Sequence, residues 1–239
     1  MINALKKWVK NRLQYNPLLE TASVRKAIEA AKIEGQPYCP DYEGDLLFSL
    51  IRSNNFQRCL ETGFYTGSTA LYLAAAVADS DGRVVSICLD DDESVERGLQ
   101  LLQKEGYADC HRLIRKNSNI ALPEFFISGE HFDFIFMDGW KTFDHLAFEV
   151  YLFNQLLDHG GVIVFDDSYM PSVRKVIRLL SKYYGYEEID YRLHNQSLRL
   201  RLFHYLTRRS IYPPYRAFTK TIKTEEQLPF QDWNFYQHI

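Results

Sequence analysis

From Arg58 to Gly185 short apolar runs alternate strictly with longer amphipathic ones, and that alternation limits the fold more than any other feature. The short runs have strand length and are rich in β-branched and aromatic residues: RCLE (58–61), RVVSICL (83–89), CHRLIR (110–115), FDFIFMDG (132–139) and GGVIVFDD (160–167). Each leads into a helical segment: the stretch restarting after Gly67, then ESVERGLQLLQKEG, a short one around IALPEFF, FDHLAFEVYLFNQLLD, and PSVRKVIRLLSKYYG. Five strand–helix units in succession predict a parallel sheet with helices on both faces and right-handed crossovers. After Gly185 strands follow one another without a helix: YEEIDYRL, a turn at HNQ, then SLRLRLFHYL. A hairpin there brings an antiparallel strand into the sheet, whereas a plain dinucleotide-binding domain would continue strand–helix–strand.

The first unit carries the sharpest local signal. The run RCLETGFYTGSTALYLA passes from strand to helix through Glu61-x-Gly63-x-x-x-Gly67. A strand turning through glycines into a helix is the ligand-binding corner of an open α/β sheet. Glycine lets the backbone turn tightly and lets a ligand approach with no Cβ in the way. The spacing is not the G-x-G-x-x-G of dinucleotide binders, so a nicotinamide-dependent oxidoreductase is the weaker alternative.

Composition narrows the function classes. With 239 residues, 46% hydrophobic and 25% charged, the chain can bury a core without disulfide staples. A net charge of −3 gives no bulk attraction to nucleic acid. Cys39, Cys59, Cys88 and Cys110 form no C-x-x-C pair, and three of them fall inside expected strands, as buried thiols do. No apolar run is long enough to span a bilayer, and the expected setting is cytoplasmic and reducing.

The segments flanking the alternation complete the organisation. Residues 1–40 read as a helical segment: ALKKWVKNRL puts Leu5, Trp8, Val9 and Leu13 on one face and Lys6, Lys7, Lys10 and Arg12 elsewhere. Such a helix suits packing or a homodimer contact better than a membrane surface. A second helix is expected from Thr21 or Ser23 to Gly35, and a third over GDLLFSLIRS. Residues 41–207 form the main domain. Residues 208–239, with Pro213, Pro214, Pro229 and many aromatics, form an extension too aromatic for a disordered tail and expected to pack on the domain.

Four segments in order carry a family resemblance: ETGFYTGSTALYLA, GRVVSICLDDDE, FDFIFMDGWKTFDH and DHGGVIVFDDSYMPSVRKVI. Over about residues 41–205 the chain resembles the class I S-adenosylmethionine-dependent methyltransferases, in particular the small bacterial O-methyltransferase group related to catechol O-methyltransferases. The resemblance implies an α/β, doubly wound Rossmann-like sheet of seven strands, order 3-2-1-4-5-7-6, the last antiparallel. It implies S-adenosylmethionine as cofactor and a small hydroxylated or sugar-like acceptor. A non-catalytic relative that keeps the fold as a binding module is a further alternative.

Carried onto these positions, the cofactor would lie against Glu61, Thr62, Gly63, Phe64, Tyr65, Gly67, Ser68, Thr69, Asn117, Ser118 and Asp138. Similar proteins place an aspartate at the end of the second strand for the ribose hydroxyls. Here that place is Cys88, and Asp90, two residues on, is expected to hold the ribose, with Asp91 also against the cofactor; three consecutive acids otherwise make a solvated turn and a helix cap. The run Asp138-Gly139-Trp140-Lys141 with the later pair Asp166-Asp167 resembles the metal-binding acids and base of catechol O-methyltransferases. Asp138, Asp166 and Asp167 would then hold Mg²⁺ or another hard divalent cation through oxygen alone. Lys141 or His145, with Asp138 beside them, would be the catalytic groups. Asp167 stands where the catechol enzymes carry asparagine, and Lys141 where closer relatives carry histidine, so metal-free chemistry is the preferred expectation.

Overall fold

The computed structural model describes residues 20–89, 92–189 and 214–223. The chain divides into two compact units, residues 1–121 and 122–239. Seven strands form one sheet in the order β3-β2-β1-β4-β5-β7-β6, as the resemblance implied.

In the first unit α1 (Ala22–Ala31) and α2 (Asp41–Asn54) precede β1 (Arg58–Thr62), α3 (Ser68–Val77), β2 (Arg83–Cys88), α4 (Glu93–Lys104) and β3 (His111–Arg115). β1 and β2 run parallel with Leu60 opposite Val85, and β2 and β3 are parallel as well. All of β1 after Arg58 is buried, because helices cover both faces of a parallel sheet. Thr21 precedes α1 as expected, but its hydroxyl donates to Asp45 instead of capping the helix, beside the Arg25–Asp45 ion pair. Helices α2 and α3 meet so closely that a Cβ at Gly44 would lie 2.3 Å from the Tyr72 ring.

The second unit holds most of α5 (Ser118–Ser128), then β4 (Phe132–Met137), α6 (Phe143–Leu156), β5 (Leu157–Phe165), α7 (Pro171–Tyr183), β6 (Tyr186–Glu188) and β7 (Arg216–Lys220). β4 and β5 are parallel; β7 is antiparallel to both β5 and β6. Lys220 on β7 is 2% exposed, and its ammonium donates to the carbonyls of Asn154 (2.6 Å) and Leu157 (2.8 Å). A buried cation there satisfies the orphan carbonyls at the negative end of α6.

The antiparallel strand is a correction in place. The sequence put it in SLRLRLFHYL (197–206), which lies outside the described residues; the strand that pairs with β5 is RAFTK. Alternating Leu and Arg suits a strand with one wet face. The place between β5 and β6 instead takes Ala217 and Phe218, both fully buried on opposite faces. The sheet therefore runs past the boundary expected at residue 207. The basic first helix and the aromatic segment from 224 onward lie outside the described residues.

Candidate functional site

In the first unit the corner after β1 has the expected strand–turn–helix form. Gly63, Tyr65 and Gly67 all take positive φ, at 93°, 41° and 69°. The Gly63 amide donates to Ile87 O at 2.9 Å, tying the turn to the end of β2, and the Gly67 amide donates to Phe64 O. α3 starts at Ser68 with no side chain capping its first turn, so the N–H groups at the positive end of the helix take no partner from a capping side chain.

Gly67 meets a packing constraint in addition to the expected one. A Cβ there would come within 2.8 Å of the Phe64 ring and 3.0 Å of Gly98 Cα. Gly98 is constrained in return, because its Cβ would meet the Thr66 backbone at 2.9 Å. Gly67 is required so that the corner can pack on α4. Gly98 escaped the sequence reading, though a glycine inside the helical run ESVERGLQLL was its signal.

The remaining residues expected at this corner divide by role. Ser68 accepts from the Cys39 amide, and Thr66 donates to Pro37 O, so both hydroxyls hold the loop before α2. Phe64 is buried with its ring 5.2 Å from that of His111. Thr62 is buried, and Gly63, Tyr65 and Thr69 are half-buried. Glu61 is fully buried; Ser86 donates to it at 2.6 Å and contacts His111 Nε2 at 2.9 Å. Desolvation pushes the His111 pKa down to about 4, so the imidazole is neutral, and because Ser86 gives its proton to Glu61 it is left to accept from His111 Nε2. This Glu61–Ser86–His111 row was not foreseen, because residues on three separate strands meet only in the sheet.

Of the three consecutive acids, Asp90 and Asp91 lie outside the described residues. Asp92 caps α4, accepting from the amides of Ser94 (2.8 Å) and Val95 (3.2 Å). Asn117 accepts from the Asn119 amide at the start of α5, and Ser118 opens that helix half-buried.

In the second unit the parallel strands β4 and β5 end together, and the Asp166 amide donates to Met137 O. Oxygens of Asp138, Asp166 and Asp167 lie within 4.8 Å of one another, as the acids were expected to converge. Lys141 reaches into this cluster. Its Nζ is 3.0 Å from Asp138 Oδ1 and 3.9 Å from Asp167 Oδ2, and its side chain is 15% exposed.

Lys141 lies ahead of α6 and His145 in its first turn, so helical spacing does not relate the two. His145 Nε2 is instead 3.2 Å from Glu149 Oε1, one turn further along α6. Glu149 is fully buried, and the hydrogen bond it accepts raises the pKa of His145 against the opposing effect of burial. Glu149 was also missed, yet it stands among Leu146, Val150 and Phe153 on the buried face of α6, where a carboxylate needs a partner.

Residues 60–168 match a protein family described as a methyltransferase domain. A caffeoyl-CoA O-methyltransferase of Populus kitakamiensis is 33% identical over 132 residues, covering 54% of each chain. One from Zinnia elegans is 32% identical over 131 residues, covering 53% of this chain and 51% of its own. The chain thus spans about half the length of these curated relatives. Among solved structures, an O-methyltransferase from Bacillus cereus in complex with SAH superposes with a TM-score of 0.65 at 16% identity, covering 83% of this chain and 91% of that one. The O-methyltransferase TomG from Streptomyces achromogenes, in complex with SAM, gives 0.64 at 20% identity over 85% and 90%.

Proposed function

We propose that this chain, whose residues 60–168 match a methyltransferase domain family, belongs to the class I O-methyltransferase group and transfers a methyl group from S-adenosylmethionine to a hydroxyl of a small acceptor. The observation that carries the reading is the meeting of Asp138, Lys141, Asp166 and Asp167 at the ends of β4 and β5, with the His145–Glu149 pair following in the same chain segment. Open α/β sheets bind ligands at such strand ends.

The sulfonium methyl is already activated, so the protein has to orient donor and acceptor, exclude water and take up one proton. Gly63, Tyr65 and Thr69 are the accessible groups of the corner for the cofactor, with Asp90 for the ribose hydroxyls. The acceptor oxygen attacks the methyl carbon, the carbon–sulfur bond breaks with its electron pair returning to sulfur, and S-adenosylhomocysteine leaves. His145 takes the hydroxyl proton. Buried Glu149 holds the imidazole in place and stabilises the imidazolium that forms, and Lys141 offers a positive charge to the developing oxyanion.

The three carboxylates are an oxygen-only set of the kind hard divalent cations prefer. Lys141 already stands among them as a cation, so the set does not fit a resident ion beside it, and the chemistry above needs none. Among the described residues no helix is long and apolar enough to cross a membrane, in keeping with a small dissolved acceptor. Cytoplasmic residence is part of the same reading.

Calorimetric titration with S-adenosylhomocysteine and with NADH tests the proposal. Binding of the first alone, with a matching rise in melting temperature, is the expected result. NADH binding would favour an oxidoreductase, and binding of neither would leave a non-catalytic module.

A further inference from the structure

We infer that Lys141 is a tethered cation that takes the place of a divalent ion in the Asp138–Asp166–Asp167 cluster. The inference deepens the methyltransferase reading and rests on it. Three carboxylates with oxygens within 4.8 Å repel one another unless a positive charge stands between them. The turn Asp138-Gly139-Trp140-Lys141 supplies that charge from the next residues of the chain. A surface lysine normally extends its ammonium into water, because the head is strongly hydrated. Here the side chain is 15% exposed, folded back with Nζ 3.0 Å from Asp138 and 3.9 Å from Asp167. The ammonium occupies Asp138 Oδ1, so a hard ion drawing on that oxygen would have to compete with it.

The donor set agrees with this arrangement. The three acids of the cluster each offer a carboxylate oxygen. One ammonium offsets part of that charge without the coordination shell of six or more oxygens that a hard ion needs. The acceptor hydroxyl would then ionise beside an ammonium fixed by its own ion pairs. Replacing Lys141 removes the competitor and leaves the cluster open to exchangeable cations.

Trp140, 69% exposed and adjacent in sequence, provides the readout as a sensitiser of terbium luminescence. Wild-type protein, Lys141→Met, and Lys141→Met with Asp166→Asn would be titrated with Tb³⁺, and with Ca²⁺ and Mn²⁺ by calorimetry. Lys141→Met should bind each ion at least tenfold more tightly than wild type, and the added Asp166→Asn should abolish the gain. Equal affinity of wild type and Lys141→Met, or weaker binding by the variant, would overturn the inference. The wild-type arm stands without the variants: a chelator-treated sample whose melting temperature rises by several degrees with 1 mM Ca²⁺ would also overturn it. Titration of the same samples with S-adenosylhomocysteine separates the two levels. Loss of cofactor binding in wild type counts against the methyltransferase reading, whereas the ion titrations bear on Lys141.

Discussion

At the scale of single residues, the His145–Glu149 pair carries the clearest consequences. Hydrogen bonding to Glu149, with charge from Glu149 and Asp144, raises the His145 pKa above its ordinary 6.5. As a base His145 must be neutral, so transfer should rise with pH through that raised value. Glu149→Gln should move the midpoint of the pH–rate profile downward, and His145→Ala should slow transfer by about 10²–10⁴-fold with cofactor affinity kept. An unmoved midpoint in Glu149→Gln would dissolve the pair as a unit. Stability follows the same sign. The His145 contribution is fully present below the unfolded value near 6.5 and is lost as pH rises through the raised folded value, which melting curves across that window would read. The acidic run separates in a second test. Asp92→Ala should cost about 0.5–2 kcal/mol of stability through the lost cap, leaving cofactor affinity intact. Asp90→Ala should weaken cofactor binding by about 1.5–3 kcal/mol at unchanged stability. Equal losses of affinity at both positions would mean that the acids act only as diffuse charge.

Between elements, the corner depends on two glycines touching across α3 and α4. Gly98→Ala would place a Cβ 2.9 Å from the Thr66 backbone, which no side-chain rotation can relieve. Overpacking of this kind costs about 1–3 kcal/mol, and the shift would fall on the turn that presents Gly63 and Tyr65. A lower melting temperature together with weaker S-adenosylhomocysteine binding is expected; loss of stability alone would detach the turn from cofactor binding. The buried Lys220 makes an analogous link between β7 and α6, since its removal would leave two buried carbonyls without their donor.

For the whole molecule, the sheet needs residues far along the chain. β7 lies between β5 and β6, and it is drawn from residues 216–220. A chain ended at 207 should therefore lack a cooperative melting transition, while one ended at 223 keeps all seven strands. Heat denaturation of the two followed by circular dichroism would check this. Equal transitions would mean that the sheet tolerates the loss of β7.

Strand and helix identities from Arg58 to Gly185 were legible because local apolar periodicity sets them, and five parallel units admit few arrangements. The glycine corner and the acids at the ends of β4 and β5 were legible for the same reason: chain order alone places them at strand ends. The last antiparallel strand was misplaced. Alternating Leu and Arg is a strong local signal, but burial on both sides between β5 and β6 selects Ala217 and Phe218. Tertiary structure alone brought Ser86 and His111 to Glu61, set Gly98 against Gly67, and turned Lys141 inward on Asp138 and Asp167. Those contacts join residues from different elements, or a loop side chain to a charge cluster that exists only once two strands end side by side. A pattern read along the chain carries each residue's preference; which groups must share a buried charge or a backbone contact is decided when the sheet closes.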